Sequence, residues 1–361
     1  MIAFACPACA HLVTFESARC LNCSTPLGFD LDGRRMCAAG ASGAKRRCAN
    51  EELAGCNWLA TGDGALCASC ALTRTRPNDS DENGLGGFAA AERAKRRLLF
   101  ELFDLGLPVE GWNEREGGLA FALLSSEREP VGTGHADGLI TLDLAETDPA
   151  HRERLRVKLG EPYRTVLGHF RHEIGHYYQP ILVPPGSPQE LRCRELFGDE
   201  RADYQRALES YYSSGAAPGW EAEHVSAYAT MHPWEDWAET FAHYLHVRDT
   251  LQTAASWGVR VEGPALQTAD IAPLESEPRG VGGGVGEMLE AWIPLSYALN
   301  AINRSMGALD LYPFVLGPAV ERKLEFIGGL IGAAGRPPRD PGASAGETEG
   351  PGTGAVEQHV H

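Results

Sequence analysis

The chain has 361 residues, with 32 basic and 49 acidic side chains and a net charge of −17. This length accommodates two domains, with a substantial core in the larger one. No run of 18 apolar residues occurs, so no transmembrane helix is expected. The first residues, MIAFACPACAHL, lack the basic and apolar regions of a signal peptide. We therefore expect a cytoplasmic protein without membrane attachment.

The first 76 residues form a distinct, cysteine-rich head. They hold nine of the ten cysteines. They also hold eight basic and six acidic side chains, whereas the rest of the chain has 24 basic and 43 acidic ones. So acidic a body argues against nucleic acid as its substrate, because phosphate contacts dominate such binding. The head itself either recognises a protein or nucleic acid or is a structural appendage.

Cysteine spacing in the head predicts two structural zinc sites. Two CxxC pairs ten residues apart allow two tight turns to offer four thiolates to one tetrahedral zinc. A second set ends in another CxxC pair, and Cys37 is left over in a Gly/Ala-rich loop. The predicted ligands are Cys6, Cys9, Cys20 and Cys23 at the first site and Cys48, Cys56, Cys67 and Cys70 at the second. Zinc would supply most of the folding free energy of such a head.

The next stretch, residues 77–87, is polar and glycine-rich, which predicts a linker between two independent cores. A helix is expected over residues 89–105, and strands over residues 119–124 and 138–144. Residues 135–144 are the candidate for a strand that lies along a cleft and pairs with an extended chain. An ordinary sheet strand fits the same pattern equally well.

An HExxH motif lies in FRHEIGHYY, on a helix expected from residue 162 to Pro180. His172 and His176 are four residues apart, so a helix points both imidazoles to one side, where they can bind one Zn²⁺. Glu173 lies beside them, and Gly175 permits close approach of another helix. A bare HExxH also occurs on ordinary surface or core helices, so the downstream residues decide between the two interpretations.

Two later stretches compete to supply a third metal ligand. Residues 197–204, FGDERADY, predict a helix capped by Asp199 that carries Glu200. A second helix, within SAYATMHPWEDWAETFAHYLH, places Glu235 and Glu239 on one face. We favour Glu235, because Glu239 one turn later can orient a ligand histidine through its free N–H. The acidic residues of the first stretch can instead satisfy the start of their own helix.

Two more helices are expected near the end of the chain, over residues 287–304 and 318–331. Their apolar spacing indicates a helical lobe on the far side of the cleft. Residues 334–361 are rich in Pro, Gly and Glu and predict a disordered tail. The catalytic body is therefore expected to span residues 88–333.

The motifs carry a family resemblance over about residues 1–330. HEIGHYY, FGDERADY and SAYATMHPWEDWAETFAHYLH, preceded by the cysteine pairs, resemble the bacterial family of zinc-binding metallopeptidases with an N-terminal zinc-ribbon domain. The resemblance implies an α+β fold, in which a mainly helical zincin-like body with a small mixed sheet follows a small zinc ribbon.

At the level of the site, the chain is similar to the gluzincins. In these peptidases an E-x-x-A-E helix carries the third zinc ligand, and a tyrosine seven residues earlier assists catalysis. Glu235, Glu239 and Tyr228 occupy the corresponding positions. Gln179 and Pro180 stand where the resemblance leads us to expect an aromatic and an acidic residue, which bears on helix length more than on chemistry.

The sequence therefore predicts a zinc-dependent endopeptidase that cleaves peptide or protein substrates. One catalytic zinc, bound by His172, His176 and Glu235, would acidify a water whose proton Glu173 accepts. About two structural zincs would hold the head, which offers a surface for a protein partner. The alternative is a non-catalytic zinc-ribbon adaptor whose peptidase-like body binds a protein or nucleic-acid partner without hydrolysis.

Overall fold

The computed structural model describes residues 2–40, 45–60, 64–261 and 284–335. Within these ranges the cysteine-rich head is built from antiparallel hairpins and one short helix. The paired strands are β1 (Ala3–Ala5) with β2 (Leu12–Thr14), β3 (Leu27–Asp30) with β4 (Arg35–Ala38), and β5 (Arg46–Arg47) with β6 (Leu59–Ala60). Helix α1 (Glu51–Ala54) lies between β5 and β6.

The head has a small aromatic core, and the body completes it. Phe15 and Phe29 meet edge to face with ring centroids 4.9 Å apart, and Trp58 lies 5.3 Å from Phe29. Phe100, from the first helix of the body, reaches within 4.9 Å of Phe15. Apolar contact therefore continues from the head into the body.

The strands of the body form one four-stranded mixed sheet. They are β7 (Thr73–Thr75), β8 (Ala120–Leu124), β9 (Gly134–Ala136) and β10 (Leu139–Asp143), in the order β7-β8-β10-β9. The pairs β7/β8 and β8/β10 are parallel, whereas β9 runs antiparallel to β10. The expected strand over residues 135–144 is thus two strands joined by a turn at Asp137 and Gly138, which have φ angles of 47° and 83°. Strand β9 lies at one edge of the sheet and β7 at the other.

Helix α2 (Glu82–Asp104) starts earlier than the pattern predicts. Asp81 caps it by accepting a 2.8 Å hydrogen bond from the amide of Gly84, so residues 82–87 of the predicted linker are helical. Strand β7, within the predicted head, belongs to the sheet of the body. The expected separation into independent cores is therefore not seen in this part of the chain, and the predicted domain limits stay a prediction.

Seven further helices of the described residues complete the body. They are α3 (Pro149–Leu159), α4 (Val166–Leu182), α5 (Pro188–Phe197), α6 (Tyr204–Ser214), α7 (Pro233–Ser256), α8 (Val285–Ser305) and α9 (Pro318–Ala334). The predicted α+β architecture, a mainly helical body with a small mixed sheet, is confirmed.

Two details of the helices differ from expectation. Pro180 lies inside α4, in its last turn, and the helix continues to Leu182. The helix predicted to start at Asp199 starts at Tyr204 and is capped by Asp203. The carboxylate of Asp199 instead accepts hydrogen bonds of 2.7–3.0 Å from the backbone amide and the guanidinium of Arg201, two residues later. Asp199 therefore stabilises a turn and does not cap a helix.

Helices α4 and α7 pack closely at the centre of the body. A Cβ built on Gly175 would lie 3.0 Å from the Cα of Ala238, so only glycine allows this approach without displacement. Trp237 Nε1 also donates a 2.8 Å hydrogen bond to the carbonyl of Gly175. On the other side of α7, a buried 2.6 Å ion pair joins Asp236 to Lys323 of α9.

The predicted disordered tail is largely beyond the described residues, which end at residue 335, one residue after α9. Across the described ranges, every helix is too short or too polar to span a lipid bilayer.

Candidate active site and metal centres

Helix α4 places the two motif histidines together. Thr165 caps the helix by accepting a 2.9 Å hydrogen bond from the amide of Gly168. Two turns later His172 and His176 project from the same face, and their Nε2 atoms are 3.2 Å apart. Two nitrogens at this separation can bind one ion.

The start of α7 supplies a carboxylate to the same point. His232 fixes this start, because its Nδ1 accepts from the amide of Trp234 at 3.1 Å. Glu235 in the first turn places Oε2 3.0 Å from His172 Nε2 and 3.5 Å from His176 Nε2. Zn–N and Zn–O bonds of about 2.0–2.1 Å give tetrahedral edges of about 3.3 Å. The three side chains therefore fit one zinc ion.

Glu200, the rival third ligand, is engaged elsewhere. Both of its oxygens accept hydrogen bonds from Arg194, at 2.6 and 3.0 Å. These bonds hold the pKa of Glu200 below its usual value. Glu200 lines the same cleft as Glu235, but it is not among the side chains that converge on the histidines.

The cysteines of the head converge in the two predicted groups. In the first group, Cys6 Sγ lies 3.7 Å from Cys23 Sγ, and Cys9 Sγ lies 3.7 Å from Cys20 Sγ. In the second group, the Sγ atoms of Cys56 and Cys67 are 3.6 Å apart. Zn–S bonds of about 2.3 Å give tetrahedral edges of about 3.8 Å, so both groups fit zinc. Cys37 belongs to neither group. The first group is Cys6, Cys9, Cys20 and Cys23, and the second is Cys48, Cys56, Cys67 and Cys70.

The second cysteine group lies against α2 of the body. Cys70 Sγ is 3.6 Å from Glu92 Oε2, and Lys95 Nζ is 2.6 Å from Glu92 Oε1. Glu92 and Lys95 are both completely buried. Arg96 from the same helix donates to two carbonyls at the end of α1, at 3.2 and 3.3 Å. A buried charged layer therefore joins this metal centre to the body.

A second layer of hydrogen bonds surrounds the histidine site. His172 Nδ1 and Glu239 Oε1 are 2.7 Å apart, and Ser226 Oγ donates to Glu239 Oε2 at 2.6 Å. Tyr204 donates from its hydroxyl to Glu235 Oε1 at 3.0 Å. Sequence analysis missed Tyr204 and Ser226. Tyr204 ends the motif FGDERADY and Ser226 begins SAYATMHPWEDWAETFAHYLH, so both lie in stretches whose carboxylates were the predicted ligands.

Glu173 and Tyr228 border the metal position without joining the ligand group. Glu173 has only 9% of its surface exposed, and burial raises the pKa of its carboxyl. The ring of Tyr228 is 6.0 Å from that of His172. Burial raises the pKa of Tyr228, which keeps the phenol protonated and able to donate.

These residues line a cleft of about 620 Å³. Strand β9 forms one wall, where His135 stacks on His176 with ring centroids 6.4 Å apart. Burial lowers the pKa of His135 to about 4, and its neutral Nε2 accepts a 3.2 Å hydrogen bond from the amide of Gly138. The opposite wall comes from α5 and the start of α7. The cleft thus exposes a sheet edge beside the metal position.

A histidine pair on one helix, a glutamate from a second helix and two four-cysteine groups in a head are the features of a zinc-binding metallopeptidase with a zinc ribbon. A family model described as "Putative zinc-binding metallo-peptidase" matches residues 85–330, and a zinc-ribbon model matches residues 3–81. The chain belongs to this family of zinc-binding metallopeptidases, and the predicted N-terminal zinc ribbon is confirmed.

Similar proteins occur in mycobacteria. One from Mycobacterium bovis and one from Mycobacterium tuberculosis are each 51% identical over 327 residues, which covers 90% of this chain and 93% of each relative. Both are described as uncharacterized proteins. No solved structure matches the chain.

Proposed function

We propose that this protein is a zinc-dependent endopeptidase, with His172, His176 and Glu235 as zinc ligands and Glu173 as general base. The observation that carries the proposal is the convergence of the three ligand atoms, which lie 3.0–3.5 Å from one another. They lie in a cleft beside the buried carboxylate of Glu173. Zinc bound here would lower the pKa of a water and polarise the scissile carbonyl.

Glu173 suits the role of base. Its carboxyl lies next to His172 in the chain but outside the ligand group, so it is free to accept a proton. Burial raises its pKa, which brings its basicity closer to the neutral range where a general base works best. The accepted proton is then available for the leaving amine.

Glu239 and Tyr228 assist in different ways. Glu239 accepts from His172 Nδ1, which fixes the tautomer whose Nε2 lone pair faces the metal position. Tyr228 retains its proton and lies beside His172. Its hydroxyl can donate to the carbonyl oxygen as negative charge develops there, an interaction that strengthens in the transition state.

The substrate we propose is an extended peptide or protein segment. Strand β9 is the last strand of the sheet formed by the described residues, and residues 133–137 line the cleft. An extended chain could pair with this edge through its backbone. Such pairing is independent of side-chain sequence and favours cleavage within a chain.

We also propose a cytoplasmic location and a protein partner for the zinc ribbon. Eight of the ten cysteines form the two groups that can hold a metal, and none of the ten forms a disulfide; reduced thiols persist in the cytoplasm. The ribbon offers such a partner its exposed Leu12 and Leu21.

Incubation of the zinc-loaded protein with a proteome-derived peptide library tests the proposal. We expect cleavage by the natural protein and a loss of about 10²–10⁴-fold in the cleavage rate with Glu173→Gln, because the general base is removed. The zinc content should not change, because Glu173 is not a ligand. Equal cleavage by both proteins would reject Glu173 as base. No cleavage by either would favour the non-catalytic adaptor.

A further inference from the structure

Two carboxylates of α7 use their oxygens in the same way. Glu235 directs Oε2 to the two histidines, and Glu239 directs Oε1 to His172. The remaining oxygen of each carboxylate accepts a hydrogen bond from a hydroxyl of another part of the chain. Each carboxylate is thus held at both ends, and the two hydroxyls have no assigned role.

Tyr204 fixes the free end of Glu235. Its hydroxyl is 3.0 Å from Oε1, and its ring packs against His232 and Trp234, with centroids 5.2 and 6.0 Å away. Only 3% of Glu235 is exposed, so water cannot readily replace this donor. Without it, a buried carboxylate oxygen loses its partner, which is costly, and Oε1 can compete with Oε2 for the metal.

Ser226 fixes the free end of Glu239. Its Oγ donates to Oε2 at 2.6 Å and accepts from the amide of Ala229 at 3.1 Å. The hydroxyl proton points to Glu239, because an ionised carboxylate can only accept, and the accepted bond holds Oγ in place. It also connects Glu239 to the turn Tyr228–Thr230. Loss of this hydroxyl would free Glu239 to rotate away from His172.

We propose that Tyr204 and Ser226 are positioning residues of the zinc site, each holding one carboxylate in the orientation that zinc binding requires. The inference rests on the zinc site of the proposed function. Partners of metal ligands typically contribute 10–100-fold to metal affinity. We therefore expect Tyr204→Phe and Ser226→Ala each to weaken zinc binding at this site by about 10–100-fold.

Zinc content measured across a series of chelator concentrations tests this expectation in the full-length protein. The His172→Ala/His176→Ala double variant gives the zinc content of the cysteine sites, which is subtracted from every other value. Tyr212→Phe is the matched control for Tyr204→Phe, because Tyr212 lies on the same helix with 66% of its surface exposed. Ser226→Thr retains the hydroxyl and is the control for Ser226→Ala.

We expect Tyr212→Phe to retain the natural affinity and Ser226→Thr to recover affinity that Ser226→Ala loses. Circular dichroism of each variant establishes that it is folded, so that a lower affinity is not a consequence of unfolding. Folded Tyr204→Phe and Ser226→Ala proteins with the natural zinc affinity would overturn the inference. Zinc affinity does not depend on hydrolysis, so this result is distinct from a failure of Glu173→Gln to reduce cleavage.

Discussion

Replacement of Gly175 by alanine tests how the two helices that carry the metal site are held together. The new Cβ would lie 3.0 Å from Ala238 Cα, 3.2 Å from its carbonyl oxygen and 3.2 Å from Phe241 Cβ. Carbon atoms in good contact are about 3.5–4.0 Å apart. Helix α7 must therefore recede from α4 by about 0.5 Å.

The free energy of unfolding then reflects two opposing effects. Alanine improves helix propensity by about 1 kcal/mol, whereas overpacking a tight core costs about 1–3 kcal/mol. The net change ranges from about zero to a loss of about 2 kcal/mol. Recession of α7 also moves Glu235 Oε2 away from His172 Nε2, now 3.0 Å away, so zinc affinity should fall as well.

Gly329→Ala is the matched control. Gly329 lies in α9, and an added Cβ would meet no atom within 4 Å. It should stabilise the protein by about 0.5–1 kcal/mol without effect on zinc. Denaturant unfolding and zinc titration of both variants give the comparison. The close-packing argument would be refuted if Gly175→Ala and Gly329→Ala had the same free energy of unfolding and the same zinc affinity.

Three other predictions concern the ligands, the phenol and the head. Glu235→Ala should abolish zinc binding in the body while Glu200→Ala leaves it intact, and metal analysis showing the reverse would move the ligand to Glu200. Tyr228→Phe should lower kcat by about 10²–10³-fold with little change in zinc content or melting temperature; a lower melting temperature at unchanged kcat would make the residue structural. The whole chain should carry three zinc ions, whereas a chain that starts at Gly87 lacks β7 and should melt at a clearly lower temperature; an unchanged melting temperature would show that the body folds independently.

The sequence predicted most where the determining interactions are local. The spacing of His172 and His176 along a helix determines their common direction, and the structure brings their nitrogens together as expected. A helix was also expected within SAYATMHPWEDWAETFAHYLH with Glu235 and Glu239 on one face, and the structure has α7 there with Glu235 near the histidines. Their role as zinc ligands stays a prediction until metal binding is measured.

Interactions between distant residues could not be predicted in the same way. Tyr204 contacts Glu235 across 31 residues, and the approach of Phe100 to Phe15 joins segments on either side of the predicted linker. Nothing in local periodicity indicates either contact. The start of α6 was placed at Asp199 instead of Asp203 for a different, local reason: both aspartates can cap a helix, but Asp199 is bound by Arg201 two residues later.

The buried layer between α2 and the second cysteine group has a consequence for synthesis on the ribosome. Cys70 precedes its neighbour Glu92 by 22 residues, so this metal centre and its support emerge almost together. Glu235 follows Glu92 by 143 residues, which at about 5–20 residues per second takes roughly 7–30 s. A zinc ion bound by the second cysteine group would thus be in place first, and the folded head would present a surface to the later helices. Without that zinc ion, the helices of the proposed active site would emerge beside an unfolded head.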